Sequence, residues 1–494
     1  MRKKLPIFYS ALMLTGVNLL LRFVGTSFQV YLSSRIGAAG IGLLQLVMSV
    51  GGLSMVAGMG GIRTATMYLT AEELGKKRPQ NVVWVLSGCF LYSICISGFV
   101  AAMLYHFAPW IASVWIGDPR TVDALRLFAS FLPVTCLCGV MTGYFTAANR
   151  IGTLAAVEVA EQLCSMVLTL IALTLLAGND PVRSTMCVIL GSSAGCVLTL
   201  VCLIFLRLRE HAPLGPRITV GPRLAQAALP LAIADDMKSG ITTVENLMVP
   251  KRLSLNRTIS SPLAAFGLVS GMVFPVIMFP AALLFGLTEL LIPELARCAA
   301  AGSEKRIHYL VRTTLRVALV YGALTGGLLC LLSDSLCDSL YGSMDAAKPM
   351  RAYALLVPML YCDIVTDAMT KGLGQQTVCV RYNIFTSLLD VLFLYVLLPR
   401  YGMDGYFLSF LVTHLINFLL SLRRLLRITV RAIPAHIPLL AAASLLLSVW
   451  AAGHVTAAPL RCGTFLLLLG SAFVILGILR KEDIQWAKGL IYKK

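Results

Sequence analysis

Residues 143–163 read GYFTAANRIGTLAAVEVAEQL, and residues 372–392 read GLGQQTVCVRYNIFTSLLDVL. Each opens on glycine, passes through a short polar turn and enters an apolar stretch that carries an acid. Gly143 aligns with Gly372, and Glu161 with Asp390. A second pair agrees in order: VYLSSRIGAAGIGLLQLV from Val30 and VPKRLSLNRTISSPLAAFGLV from Val249. The members of each pair lie about 220–230 residues apart. Self-similarity at that spacing marks a chain built from two related halves, as many membrane transporters are. Identity between the halves is low, so the order of features carries the argument.

The rest of the chain fits that reading. It has 494 residues, of which 58% are hydrophobic and 13% charged, against about 25% charged in an ordinary soluble chain. Mean hydropathy is +0.83. Apolar stretches long enough to cross a bilayer as helices recur from end to end. They lie near 7–32, 41–69, 82–105, 124–147, 153–177, 184–206, 224–249, 262–290, 313–335, 352–371, 382–399, 405–422, 437–454 and 463–479. The first is too long for a cleaved signal peptide and is not followed by a small-residue cleavage site. The pattern predicts an all-α polytopic membrane protein with fourteen spans. A first lobe occupies 1–206, a cytoplasmic linker rich in Pro, Gly and Arg 207–223, and a second lobe 224–427. A C-terminal helix pair with a tail occupies 428–494, outside the repeat and without charges in its spans.

The net charge of +18 would suit nucleic acid, but the charges are not placed for it. With the N-terminus inside, most Lys and Arg fall in the inner segments, which is the positive-inside bias. Both termini are then cytoplasmic, in the cell membrane, and the basic surface is a collar for anionic phospholipid headgroups. Lys251, Arg252 and Arg257 cluster outside, against the trend. Most of the 14 cysteines sit inside spans and read as small core residues. The six histidines are scattered, and neither a metal-ligand set, a phosphate loop nor a catalytic triad stands out. The expectation is a monomeric transporter without cofactor or metal, not an enzyme.

A charge inside a span costs roughly 3 kcal/mol by insertion scales and usually faces a cavity or a partner. In span 1, Asn18, Arg22, Thr26 and Gln29 share one helical stripe with Thr15, while the opposite face is Leu, Val and Phe. Two readings stand: a wet, cavity-lining face, or an arginine paired with a buried acid to hold the bundle. Span 2 is glycine-rich and ends at Arg63; span 8 is broken by Gly and Pro, and its Glu289 lies one position from the repeat equivalent of Arg63. Interrupted helices at matching places point to a transporter's site and its bending elements, the alternative being close helix packing. In span 7, Asp235, Lys238, Thr242 and Glu245 share a face, with Asp236 beside them. Asp235 and Lys238 either join the cavity or neutralise each other. Asp363 and Asp367 in span 10 and Asp390 in span 11 are candidates for gating or ion coupling. Glu158 and Glu161 either belong with them or form a solvated helix end.

Several short motifs resemble a known family. R-x-x-G at Arg22 and Gly25, G-x-x-G-I-G-L from Gly37 to Leu43, and G-I-x-T-A from Gly61 to Ala65 with A-E at Ala71 and Glu72 belong to the first half. V-E-N-L-M-V-P-K-R-L from Val244, P-E-L-A from Pro293 and K-G-L-G-Q from Lys371 belong to the second. Together they resemble the stage V sporulation protein B branch of the multidrug/oligosaccharidyl-lipid/polysaccharide exporters, a likeness covering most of the chain. It implies a MATE-like fold: two pseudo-symmetric six-helix lobes around a central V-shaped cavity, plus two C-terminal helices. It implies alternating access and a flippase for an undecaprenyl-pyrophosphate-linked sugar, such as the peptidoglycan precursor lipid II or a polysaccharide repeat unit, in cell-wall or spore-cortex synthesis. Arg22 falls on the first cavity arginine of the related lipid II flippases. Their second is Phe28 here, and Arg63 stands where the branch usually has Pro. A cation-coupled multidrug antiporter of the same fold is the alternative. Arg22 is the only charged residue of span 1 and opposes cationic drugs, whereas Asp235, Asp236 and Glu245 in span 7 would suit them. Protons, Na⁺ and the membrane potential remain equal choices for coupling.

Overall fold

The computed structural model describes residues 7–76, 78–178, 180–209, 220–429 and 436–478, which are helical throughout with no strand among them. The helices are α1 (Ile7–Met59), α2 (Ile62–Gly75), α3 (Val82–Trp110), α4 (Val122–Ala147), α5 (Ile151–Ala172) and α6 (Pro181–Leu208). There follow α7 (Gly221–Leu253), α8 (Pro262–Gly267), α9 (Phe274–Met278), α10 (Ala282–Ala300) and α11 (Glu304–Tyr341). The last are α12 (Ala347–Ala354), α13 (Val357–Gly372), α14 (Gln376–Ile428), α15 (His436–Gly453) and α16 (Ala458–Ile475). Among the described residues eight helices are long and apolar enough to cross a membrane, or ten if each of two bent pairs is one crossing.

Helix boundaries follow local chemistry. Asp118 and Asp180 accept hydrogen bonds from the backbone N–H groups two residues on, with proline at the first helical position in both cases, a strong start signal. The opening stretch turns at Asn149 (φ 56°), and its counterpart at Gly374 (φ 76°). These are the residue types that tolerate a left-handed backbone. Gly37 (φ 78°) breaks α1 and Gly402 (φ 57°) breaks α14. α14 thus holds two of the expected spans joined at one glycine, while α1 holds the first and part of the second, which continues into α2.

The chain forms two compact units. The first comprises Met1–Phe28 and Arg35–Gly267. Its core gathers Ile62, Leu69, Val85, Val140, Phe145 and Leu203 from α2, α3, α4 and α6. α4 lies hard against α2 at Gly143, where a Cβ would meet the Arg63 carbonyl at 2.4 Å. α7 also belongs to this unit and is bonded along its length. Thr243 Oγ1 donates to Ser49 O (3.1 Å) and Asn246 Nδ2 to Ser49 Oγ (2.9 Å). Near its C-terminus Lys251 Nζ donates to Val114 O (2.5 Å), in the π turn that closes α3. That contact gives the out-of-trend lysine a structural role.

The second unit comprises Gln29–Ser34 and Leu268–Lys494. The interrupted span of the sequence starts as α8, the last element of the first unit, and continues in this one as a π turn, α9 and α10, with a 61° bend between Pro262–Met278 and Ala282–Ala299. Breaking a helix inside a membrane frees carbonyls that lipid cannot satisfy. Here side chains take them up: Tyr361 Oη donates to Ile277 O (2.9 Å), Tyr341 Oη to Met272 O (2.9 Å), Tyr321 Oη to Pro280 O (2.8 Å) and Ser33 Oγ to Gly271 O (2.7 Å). Gly372 on α13 approaches Ile292 O on α10 as Gly143 approaches α2, at 3.0 Å from its would-be Cβ. α15 and α16 pack through Ala441, Leu445, Phe465, Leu469 and Phe473 against α11, and leave Leu439, Trp450, Leu467 and Ile475 exposed. Such an uncharged outward face suits lipid rather than water.

Candidate functional site

Arg22 is exposed on α1, and Thr26 is half-buried one turn on. The side chain of Asn18 lies outside the described residues. Gln29 is half-buried and belongs to the second compact unit. The opposite, apolar side is no better covered, since Leu20 and Phe23 are 55% and 54% exposed. The backbone beside the arginine is tied to α5, whose Gln162 Nε2 donates to Leu21 O at 3.0 Å. Gly25 leaves room for that amide.

Arg63 is exposed on α2 just beyond Gly60 and Gly61, two consecutive left-handed glycines (φ 47° and 69°). The glycine-rich span is interrupted here, between the end of α1 and the start of α2. The charge of Arg63 acts on Glu158 of α5. Glu289 lies on α10, its side chain outside the described residues. Glu161 is not a solvated helix end: Thr199 Oγ1 donates to it at 2.7 Å and Cys196 Sγ at 3.4 Å, both from α6. Neither partner was legible in the sequence, because two donors three residues apart on an apolar helix are common and silent.

On α7, Asp235, Lys238 and Thr242 are exposed and Glu245 half-buried. No ion pair joins Asp235 to Lys238 among the described residues. Asp236, the neighbour given least weight in the sequence, is half-buried and its charge reaches Tyr92 on α3. Tyr92 Oη in turn donates to Gly60 O (3.1 Å).

An ionic cluster of the first unit lies at the other end of α7. Arg223 Nη2 donates to Glu72 Oε2 (2.7 Å) and Nη1 to Glu73 Oε1 (2.9 Å), while Asn81 Nδ2 donates to the second oxygen of Glu73 (2.9 Å). Lys76 pairs with the first carboxylate (2.5 Å). Bonds from Lys76 and Arg223 hold the Glu72 carboxyl below its ordinary range. Burial pushes Glu73 the other way, but Asn81 and Arg223 outweigh it and its carboxyl also lies low. Beside this clamp a cavity of about 540 Å³ is lined by Thr64, Tyr68, Glu72, Arg223 and Gln226.

In the second unit α14 gathers two of the expected acids. Asn417 Nδ2 donates to Asp363 Oδ2 (3.1 Å), and Thr386 Oγ1 reaches Asn417 Oδ1 (3.4 Å). One turn beyond Thr386, Asp390 accepts from Ser409 Oγ (2.6 Å) and Thr413 Oγ1 (3.2 Å). Glu161 is likewise bonded by donors of the next stretch of helix, there one hydroxyl and one thiol. Asp367 stands apart from this network, paired with Lys371 (2.6 Å).

Three comparisons bear on these features. The family model MatE matches residues 14–178 and 252–396, well over half of the chain. Stage V sporulation protein B of Bacillus subtilis (strain 168) is 20% identical over 399 residues, covering 79% of this chain and 77% of that protein. Among solved structures, lipid II flippase MurJ in an inward closed conformation superposes with a TM-score of 0.69, at 14% identity, over 94% of this chain and 98% of that one. An inward-facing multidrug resistance MATE family transporter of the MOP superfamily follows at 0.65 and 12%, over 83% and 98%. At such identities the solved structures speak for the fold alone. With helices throughout, interrupted spans and residues of both halves matched, the chain belongs to the MatE family, and its long apolar helices are those of a multi-pass membrane protein.

Proposed function

We propose that this protein flips an undecaprenyl-pyrophosphate-linked sugar, a peptidoglycan precursor such as lipid II or a polysaccharide repeat unit, across the cytoplasmic membrane. The observation that carries the reading is Arg22, exposed on α1 as the only charged residue of its span. A pyrophosphate in a low-dielectric site needs a fixed cation, and the guanidinium fork bonds two phosphate oxygens at once. Arg63 is the second cation, on the helix that follows. The likeness to a lipid II flippase and to a stage V sporulation protein supports this reading.

In this reading the chain crosses the membrane fourteen times with both termini cytoplasmic and works as a monomer. Lobes 1–206 and 224–427 alternate access to a central cavity lined by Arg22, Arg63, Asn18, Thr26, Gln29, Lys238, Thr242 and Glu245. Asp363 and Asp390, bonded by hydroxyl and amide donors, are the acids placed to take a coupling proton or Na⁺. Asp235, Asp367 and Glu289 are secondary to them.

The test is flipping of fluorescent lipid II in proteoliposomes. Wild type is expected to flip it. Arg22→Ala should fold normally and lose about tenfold or more, the worth of one charge-assisted contact. Equal rates in the two proteins would overturn the role of Arg22. A second reading, cation-coupled drug export, draws on the acids Asp235, Asp236 and Glu245 of α7 and on the likeness to a multidrug transporter. Wild-type protein that extrudes a cationic dye but leaves lipid II unflipped would decide for it.

A further inference from the structure

We propose that the groove between α2 and α7 is a sugar-binding subsite, which holds the glycan headgroup of the lipid-linked substrate. The proposal rests on the flippase reading and adds a location to it. At about 540 Å³ the cavity lies within the range of small-molecule sites, roughly 300–1,000 Å³.

The lining points to the ligand's chemistry. Tyr68 presents its ring at 60% exposure, an open aromatic face of the kind that attracts the weakly positive C–H face of a pyranose. Around it stand the polar Thr64, Gln226, Glu72 and Arg223, with the buried Ala65 and Leu69 completing the lining. A hydroxyl and an amide both donate and accept, the carboxylate accepts and the guanidinium donates, so together they match vicinal hydroxyls and N-acetyl groups. An anion fits poorly, since Arg223 is already bonded to two carboxylates. A purely apolar ligand would strand these polar groups without partners. The clamp also fixes the groove before the ligand arrives: Arg223 ties the start of α7 to the end of α2, so less ordering is left for binding to supply. Arg63 precedes Thr64 on α2, which places a phosphate-binding cation and a sugar-binding wall in sequence along one helix.

Two ligands separate this subsite from the rest of the site: lipid II, and undecaprenyl pyrophosphate, which has the same anion and tail without the sugar. Binding of each to purified protein in nanodiscs would be measured for wild type and four variants. Tyr68→Ala and Gln226→Ala are expected to weaken lipid II by about three- to tenfold, the range for one lost contact, and to leave undecaprenyl pyrophosphate unchanged. Tyr68→Phe keeps the ring and should stay near wild type. Arg22→Ala should weaken both ligands. Tyr68 and Gln226 are exposed, so their variants should fold. If Tyr68→Ala weakens both ligands alike, or neither, there is no sugar contact and the subsite falls while the flippase reading stands. Wild-type protein that binds neither ligand removes the flippase reading, and the subsite with it.

Discussion

Arg223 shows how one residue joins two distant pieces of chain. Its guanidinium bridges consecutive carboxylates 150 and 151 positions away, and Glu73 is nearly buried, its side chain 3% exposed. Removing the cation strands Glu73, so Arg223→Ala should destabilise by about 1–3 kcal/mol, the cost of leaving a buried acceptor unpaired. The pH dependence follows from the direction of the shifts. Both carboxyls titrate lower in the folded chain than in the unfolded one. The clamp therefore contributes fully above the unfolded value near 4.5, and its contribution fades as pH falls through the folded values. Thermal unfolding of detergent-solubilised protein checks this: the gap between wild type and Arg223→Ala should be wide at pH 7 and shrink at pH 4. A gap independent of pH would mean that the clamp's worth lies in packing. Glu72 was visible beforehand as part of a motif, but its partner was not, because no local pattern ties it to a residue on α7.

At the scale of elements, the broken span is the feature the sequence marked best. Its Gly and Pro predicted an interruption, and the chain bends there. The sequence did not say what pays for the freed carbonyls. Tyr321 and Tyr341 on α11 and Tyr361 on α13 do so, and in sequence they are ordinary aromatic residues of apolar helices. Tyr361 is fully buried, so Tyr361→Phe leaves Ile277 O without its donor and should cost about 1–3 kcal/mol. Unfolding of the variant beside wild type measures it, and no change would mean that another donor replaces the hydroxyl. α16 depends on a different detail. A Cβ on Gly327 would come within 2.0 Å of the Phe465 ring, so the missing side chain of α11 is what admits the aromatic anchor of α16. The helix pair itself was legible from its two uncharged stretches, but that docking was not.

For the whole molecule, the charge bias makes a sharp prediction about sidedness. In a cysteine-free background, a membrane-impermeant thiol reagent added to intact cells should label Ser254→Cys, at the end of α7, and not Arg209→Cys, at the end of α6, until the cells are opened. Both positions are exposed, so access alone should decide the result, and the reverse pattern would invert the topology. Hydropathy located the helices because a backbone in lipid must satisfy its own hydrogen bonds, and a long apolar stretch has only the helix in which to do so. That requirement is local, and the sequence by itself determined the all-helical class and where the long apolar helices lie. Which face of each helix meets protein is another matter. Lipid and protein interior are equally apolar, so Leu20 and Phe23 on α1 carry no mark of what they face. Tertiary structure alone decided that α7 packs with the first compact unit, that Glu161 takes a hydroxyl and a thiol and Asp390 two hydroxyls from a neighbouring stretch of helix, and that Asp363 bonds to Asn417 of α14 while Asp367 turns to Lys371. Those choices rest on side-chain contacts between residues far apart in the chain, where distance and geometry set the energy and sequence spacing leaves no trace.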